Sequence, residues 1–160
     1  MISRLVLPLV LVSTVAAADP RAQVQIDALG LLDQRVELSA TGLLTPNLGA
    51  TLTLADQLDG TSRQVALSLP VFAQRAFNGF FIEPGLLAGG RWSGNCLSCA
   101  PDINKNISAE VLLGWSWLFD SGLTLSMAIG AQVEVACYDN DCGIDPAISP
   151  AGYAKLGYAF

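Results

Sequence analysis

Residues 123–135 read LTLSMAIGAQVEV, and every odd position is apolar: Leu123, Leu125, Met127, Ile129, Ala131, Val133 and Val135. The even positions, Thr124, Ser126, Ala128, Gly130, Gln132 and Glu134, are polar or small. A period of two sends these sets to opposite faces of an extended strand, and a 3.6-residue helical stripe cannot reproduce it. The same alternation recurs along the chain. It predicts eight strands, at 23–30, 35–43, 48–56, 63–73, 80–92, 108–119, 123–136 and 148–160. Several reach about ten residues, the length a tilted strand needs to cross a bilayer. Pro70 and Pro84 each remove a ladder donor, which leaves the ends of the strands that contain them open.

The connections alternate in character. Thr45-Pro46-Asn47, Phe77-Asn78-Gly79 and Asp120-Ser121-Gly122 are tight-turn sequences, built on Pro, Asn-Gly and Ser-Gly chemistry. Between them run the polar connections 56–62, 93–107 and 137–147, and a short, partly apolar one around 31–34. Short turns at one end and longer loops at the other describe an up-and-down barrel.

Composition poses the question of which face meets water. Hydrophobic residues make up 52% of the chain, yet no run after Ala18 is long enough for a helical span. A soluble barrel would turn its apolar faces inward, whereas a membrane barrel turns them out and lines its lumen with the polar face. The polar face carries ions of both signs: Arg35, Glu37, Glu83, Arg91, Glu110, Glu134 and Lys155. Inside an eight-stranded barrel these would have to pair. Arg35, Glu37, Arg91, Glu110 and Glu134 are expected in the upper, loop-side lumen, and Lys155 lower down. Phe72, Phe80, Trp117, Phe119, Tyr158 and Phe160 fall near the tight turns as an interfacial girdle, with Trp92 marking the opposite rim. The expected fold is therefore an all-β, eight-stranded antiparallel up-and-down transmembrane barrel.

The first eighteen residues, MISRLVLPLVLVSTVAAA, have the organisation of a cleaved signal peptide: Arg4, an apolar core, and small residues at 16–18. Asp19 stands where a lipoprotein would need cysteine. Residues 19–160 are then one barrel domain, exported to the outer membrane. Fourteen Asp and Glu against eight Lys and Arg give a net charge of −6, which argues against nucleic acid as a partner.

The last strand closes on YAKLGYAF, with Leu156, Tyr158 and Phe160 on its apolar face. In this it resembles bacterial outer-membrane barrels, whose closing strand carries an aromatic-terminated signal; the resemblance implies that the barrel-assembly machinery reads Leu156, Tyr158 and Phe160 during biogenesis. From residue 19 onward the chain looks like a small eight-stranded barrel of the OmpA/OmpX-like kind. The run GLLDQRVELSATGLLTPNL is also similar to an uncharacterised family of small outer-membrane barrels. The resemblance implies architecture and a Gram-negative envelope location, and it brings no catalytic residues.

Cys96 and Cys99 lie in GNCLSCAPD, and Cys137 and Cys142 in ACYDNDCG. Two disulfides suit an exported chain. Local pairing, Cys96–Cys99 and Cys137–Cys142, is the preferred reading; cross-loop pairing, a four-cysteine zinc site and a redox pair are alternatives. Asp139-Asn140-Asp141 with Gly143 lacks the spacing and the closing Glu of a calcium loop, so it reads as a solvated acidic loop. Histidine is absent, which removes the base that activates serine in the familiar lipid-modifying barrels. No enzymatic activity, cofactor or metal is expected. The sequence points to a barrel with a narrow or plugged lumen and an envelope-structural or surface-interaction role through its loops. Its partners would be outer-membrane lipid and an extracellular molecule met by those loops. Two alternatives stand beside it: a small-solute or apolar-ligand conduit across the outer membrane, and a soluble periplasmic ligand-binding barrel.

Overall fold

The computed structural model describes residues 20–59, 62–93, 102–137 and 148–160. The signal peptide expected at 1–18 and the loop cysteines Cys96, Cys99 and Cys142 lie outside the described residues. The elements in chain order are β1 (Ala22–Asp27), α1 (Ala28–Leu32), β2 (Arg35–Thr45), β3 (Leu48–Gln57), β4 (Ser62–Ser68) and β5 (Val71–Phe72). They continue with β6 (Gly79–Ser93), β7 (Asp102–Leu118), β8 (Leu123–Cys137) and β9 (Ile148–Ala159). All pairings between strands are antiparallel, and β1 pairs with both β2 and β9, which closes the sheet on itself. Because β4 and β5 both lie between β3 and β6, they form one stave, and the barrel has eight.

Local chemistry sets two departures from simple alternation. The strand expected at 23–30 ends at Asp27, and residues 28–30 are helical instead. Asp27 holds an extended backbone (φ −80, ψ 114) and its carboxylate accepts from the Leu29 N–H at 3.0 Å, so it ends the strand and caps α1 in one step. The strand expected at 63–73 is split at Leu69-Pro70. The Pro70 carbonyl still accepts from Gly49 N–H at 2.8 Å, but proline cannot return that bond, and the regular ladder stops. Pro84 behaves differently: it stays within β6, in register with Val111, and its carbonyl accepts from Leu69 N–H at 2.9 Å.

The alternation sorts the side chains inside out relative to a soluble domain. Val24, Leu38, Leu52, Leu54, Val65, Leu67, Val111, Leu113, Met127, Ile129 and Leu156 are exposed on the outer surface. Gln23, Gln25, Glu37, Ser39, Thr41, Thr51, Thr53, Ser116, Thr124, Ser126 and Lys155 are buried inside. A polar interior beneath an apolar exterior is stable only where the surroundings are themselves apolar.

The two ends of the barrel differ. At one end lie the turns at 46–47 and 119–122 and the connection 73–78. Both limits of the described chain meet there, where Ala22 N–H donates to the Phe160 carbonyl (3.0 Å) and Phe160 N–H to that of Ala22 (2.8 Å). The opposite, loop end carries α1. An apolar cluster of Phe72, Phe77, Phe81, Leu112, Ala128 and Ala159 sits inside the barrel towards the turn end.

Candidate functional site

A belt of charged and aromatic side chains crosses the lumen. Lys155 on β9 places its Nζ 2.9 Å from Glu37 Oε1 on β2, with both side chains more than nine-tenths buried. Arg35, on the same strand as Glu37, donates to the other oxygen, Oε2, at 2.7 Å. The Lys155 ammonium also lies 4.1 Å from the centroid of the Tyr153 ring. The Tyr153 hydroxyl donates to Glu83 Oε2 on β6, and Ser68 on β4 donates to Glu83 Oε1. Four staves are joined in this way, and Glu37 and Glu83 have hydrogen-bonded partners at both oxygens. A buried carboxylate requires that satisfaction.

Strand register brings the belt together. Lys155 is level with Asp27 of β1, and Ile26 is level with Leu38 of β2, so Lys155 and Glu37 meet across β1. The expectation that Lys155 lies below the other ions is therefore corrected: it stands at the level of Glu37. Parity along a strand says which face a residue takes, but the stagger between staves sets its height.

Above the belt, towards the loop end, is a cavity of about 260 Å³ bordered by Asp27, Gln64, Glu110, Gln132, Tyr153 and Lys155 among others. Glu110 leans over Gly85, where a Cβ would sit 3.0 Å from its Oε1. Below the belt lies a cavity of about 20 Å³ lined by Gln23, Gln25, Thr41, Thr51, Phe72, Phe81 and others. Around it Gln25 Nε2 donates to Ser126 Oγ (2.9 Å), Ser116 and Ser126 hydroxyls meet at 2.8 Å, and Thr41 meets Thr51 at 2.8 Å.

Of the ions expected in the lumen, Arg35, Glu37, Glu83 and Lys155 join the belt, and Glu110 borders the cavity above it. Glu134 is partly buried on the inner face of β8, beyond Gln132. The side chain of Arg91 lies outside the described residues, as do those of Trp92 and Cys137. Two belt members were missing from the expected network. Parity puts Tyr153 on the inward face with Lys155 and Ser68 on the inward face with Gln64 and Ala66 of β4, so both are readable as lumen-facing, though not as members of the belt.

The aromatics expected in a girdle take different places. Phe80, Trp117, Phe119 and Phe160 are exposed near the turn end, and Trp115 joins them, its ring 6.4 Å from that of Trp117. Tyr158 is partly buried, with its ring over Gly122. Phe72 is a correction: it is 4% exposed and points inward. The break at Pro70 does not disturb the parity of the stave, so Val71 faces out and Phe72 faces in.

No family model and no curated protein matches the sequence. Among solved structures, the crystal structure of the N-terminal β-barrel domain of Pseudomonas aeruginosa OprF is similar, with a TM-score of 0.60 and 11% sequence identity. The alignment covers 89% of this chain and 98% of that one. At this identity the two share a fold, the closed eight-stranded antiparallel barrel.

Proposed function

We propose that the protein is an integral outer-membrane barrel that carries no open pore, and that acts in envelope structure or surface contact through its loop end. The belt from Arg35 through Glu37, Lys155 and Tyr153 to Glu83 is the observation that carries this reading, with about 20 Å³ of space beneath it. The apolar outer surface supports a lipid environment, and the exposed aromatics near the turn end support an interfacial girdle. The fold shared with the OprF barrel domain fits the same setting. The signal sequence at 1–18 would deliver the chain to the periplasm, and Leu156, Tyr158 and Phe160 would present the signal for barrel assembly. The turn end then faces the periplasm and the loop end the exterior. No catalytic role is proposed.

The cavity of about 260 Å³ above the belt favours a second reading, in which a small solute enters from the loop end and passes when the belt rearranges. The soluble periplasmic alternative is disfavoured by the exposed Val, Leu and Ile side chains around the barrel.

Fractionation tests the reading. The protein is expected to stay with outer membranes through carbonate extraction, to need detergent for release, and to migrate faster on a gel unheated than boiled. Release by salt or carbonate alone would sink it.

A further inference from the structure

The ladder that closes the barrel stops short of the loop end. β1 pairs with β9 from Gln23↔Ala159 up to Asp27↔Lys155, whereas β9 continues to Ile148 along its β8 side. On the other flank β1 and β2 are last paired at Ile26↔Leu38, and β2 continues to Arg35 along β3. Among the described residues no strand lies between 148–154 of β9 and 35–37 of β2, and the single turn of α1 packs there instead. The floor of this notch is a side chain. Asp27 Oδ1 accepts from Ala154 N–H at 3.2 Å, in place of the carbonyl that a longer β1 would supply.

Backbone groups alternate in direction along a strand, so those of Gly152 and Pro150 point into the notch as Ala154 N–H does. Pro150 has no N–H to leave bare, but its carbonyl and both groups of Gly152 have no ladder partner among the described residues. At bilayer depth a bare backbone edge is tolerated only where it lines a wet cavity. The cavity of about 260 Å³ above the belt supplies one, because Pro150 and Gly152 border it. Its other described walls are inward-facing residues; outward-facing ones join them only at this edge.

The two sides of the notch differ in chemistry. Outside, the three most exposed large apolar side chains among the described residues flank it. They are Leu32 on α1 (80%), Ile148 at the top of β9 (76%), and Ile129 (75%), level with Gly152. Inside, the cavity is bordered by four carboxylates, Asp27, Glu37, Glu83 and Glu110, and two cations, Arg35 and Lys155, both of which bind Glu37. Asp27 and Glu83 are met by neutral donors. Glu110 holds no ion pair or hydrogen bond with the described residues. Register sets it level with Gln132 and, through Gln132, with Ser149 beside the notch.

The geometry points to a lateral portal between β9 and α1 that admits an amphiphile with a cationic head, its ammonium against Glu110 and its tail on the apolar rim. The net negative lining selects the sign of the head. An entrance through the lipid-facing wall selects a ligand that reaches the barrel from the bilayer. The belt lies beneath, so the cavity is a blind pocket for the head. The inference rests on the membrane placement proposed above.

Two dodecylammonium probes test it, one with a photoreactive diazirine beside the head and one with it at the tail end. The folded protein is floated with phosphatidylcholine vesicles and labelled at a low probe-to-lipid ratio, and adducts are assigned to residues by mass spectrometry. The head probe is expected on Gln132, Ala151 and Tyr153, and the tail probe on Leu32, Ile129 and Ile148. A sulfonate-headed analogue should label the inner residues roughly fivefold less, in line with one ion pair at a hydrated site. Glu110→Gln should weaken head labelling by a similar factor, with the heat-sensitive gel mobility retained. Head adducts spread evenly around the outer face would overturn the portal, and equal labelling by the sulfonate analogue would overturn the cationic head. Unchanged labelling in Glu110→Gln would overturn the role of Glu110. Failure to float contradicts the membrane reading itself and takes the inference with it, whereas the adduct pattern in floated protein bears on the portal alone.

Discussion

The Tyr153 ring links two charge systems: its hydroxyl donates to Glu83 on the far side of the lumen, and its face receives the Lys155 ammonium at 4.1 Å. One aromatic side chain on β9 thus couples the Glu37–Lys155 pair to the Glu83–Ser68 pair. The interior is a connected polar network, and such networks stabilise when every member is satisfied and are costly when one is removed.

Tyr153→Phe keeps the ring and the cation contact but removes the donor to Glu83. The loss is expected to be about 1–3 kcal/mol, the cost of leaving a buried acceptor short of a partner. Urea unfolding of the barrel in phospholipid vesicles measures it. Parent-like stability would mean that the hydroxyl does not support the belt.

Lys155→Met leaves the buried Glu37 with Arg35 alone. Removing one partner of a buried pair costs about 3–5 kcal/mol, so this variant should be the least stable of the belt variants. Adding Glu37→Gln should return part of the loss, because the stranded charge is then gone. A double-mutant cycle reads the coupling, and strict additivity would contradict the pairing.

Val111 is exposed on the outer face midway along β7. If that face meets hydrocarbon, Val111→Arg costs about 2–4 kcal/mol in vesicles. On a water-facing surface the same change would fall within about 0.5 kcal/mol. The same unfolding assay separates the two.

Gly157 lies on the seam that closes the barrel, opposite Gln25 of β1, and a Cβ there would collide with the Val24 carbonyl oxygen. Gly42, on β2, has no atom within 4 Å of such a Cβ. Gly157→Ala should therefore reduce or abolish the fast-migrating folded band, whereas Gly42→Ala should leave it unchanged. Equal behaviour of the two would show that close approach at the seam is not needed for closure.

Much of this was legible in the alternation. The outward set around Leu38, Leu52, Val111 and Leu156 and the inward set around Glu37, Thr53, Ser126 and Lys155 follow from parity, because a strand has only two faces. Three features were not legible, each for a physical reason. Asp27 looks like one more inward polar residue until its carboxylate is seen capping α1, since capping and lumen-lining use the same side chain. Phe77 stands beside Asn-Gly and reads as part of a solvent-facing turn, and only tertiary packing of its ring favours the positive φ it adopts. The meeting of Lys155 with Glu37 depends on the stagger between staves, which no single strand encodes.

Closure of the lumen by the belt is the central claim, and conductance of the purified protein in planar bilayers tests it most directly. The account predicts no stable single-channel steps at moderate voltage and salt. Large, reproducible channels from the folded, heat-sensitive form would contradict it.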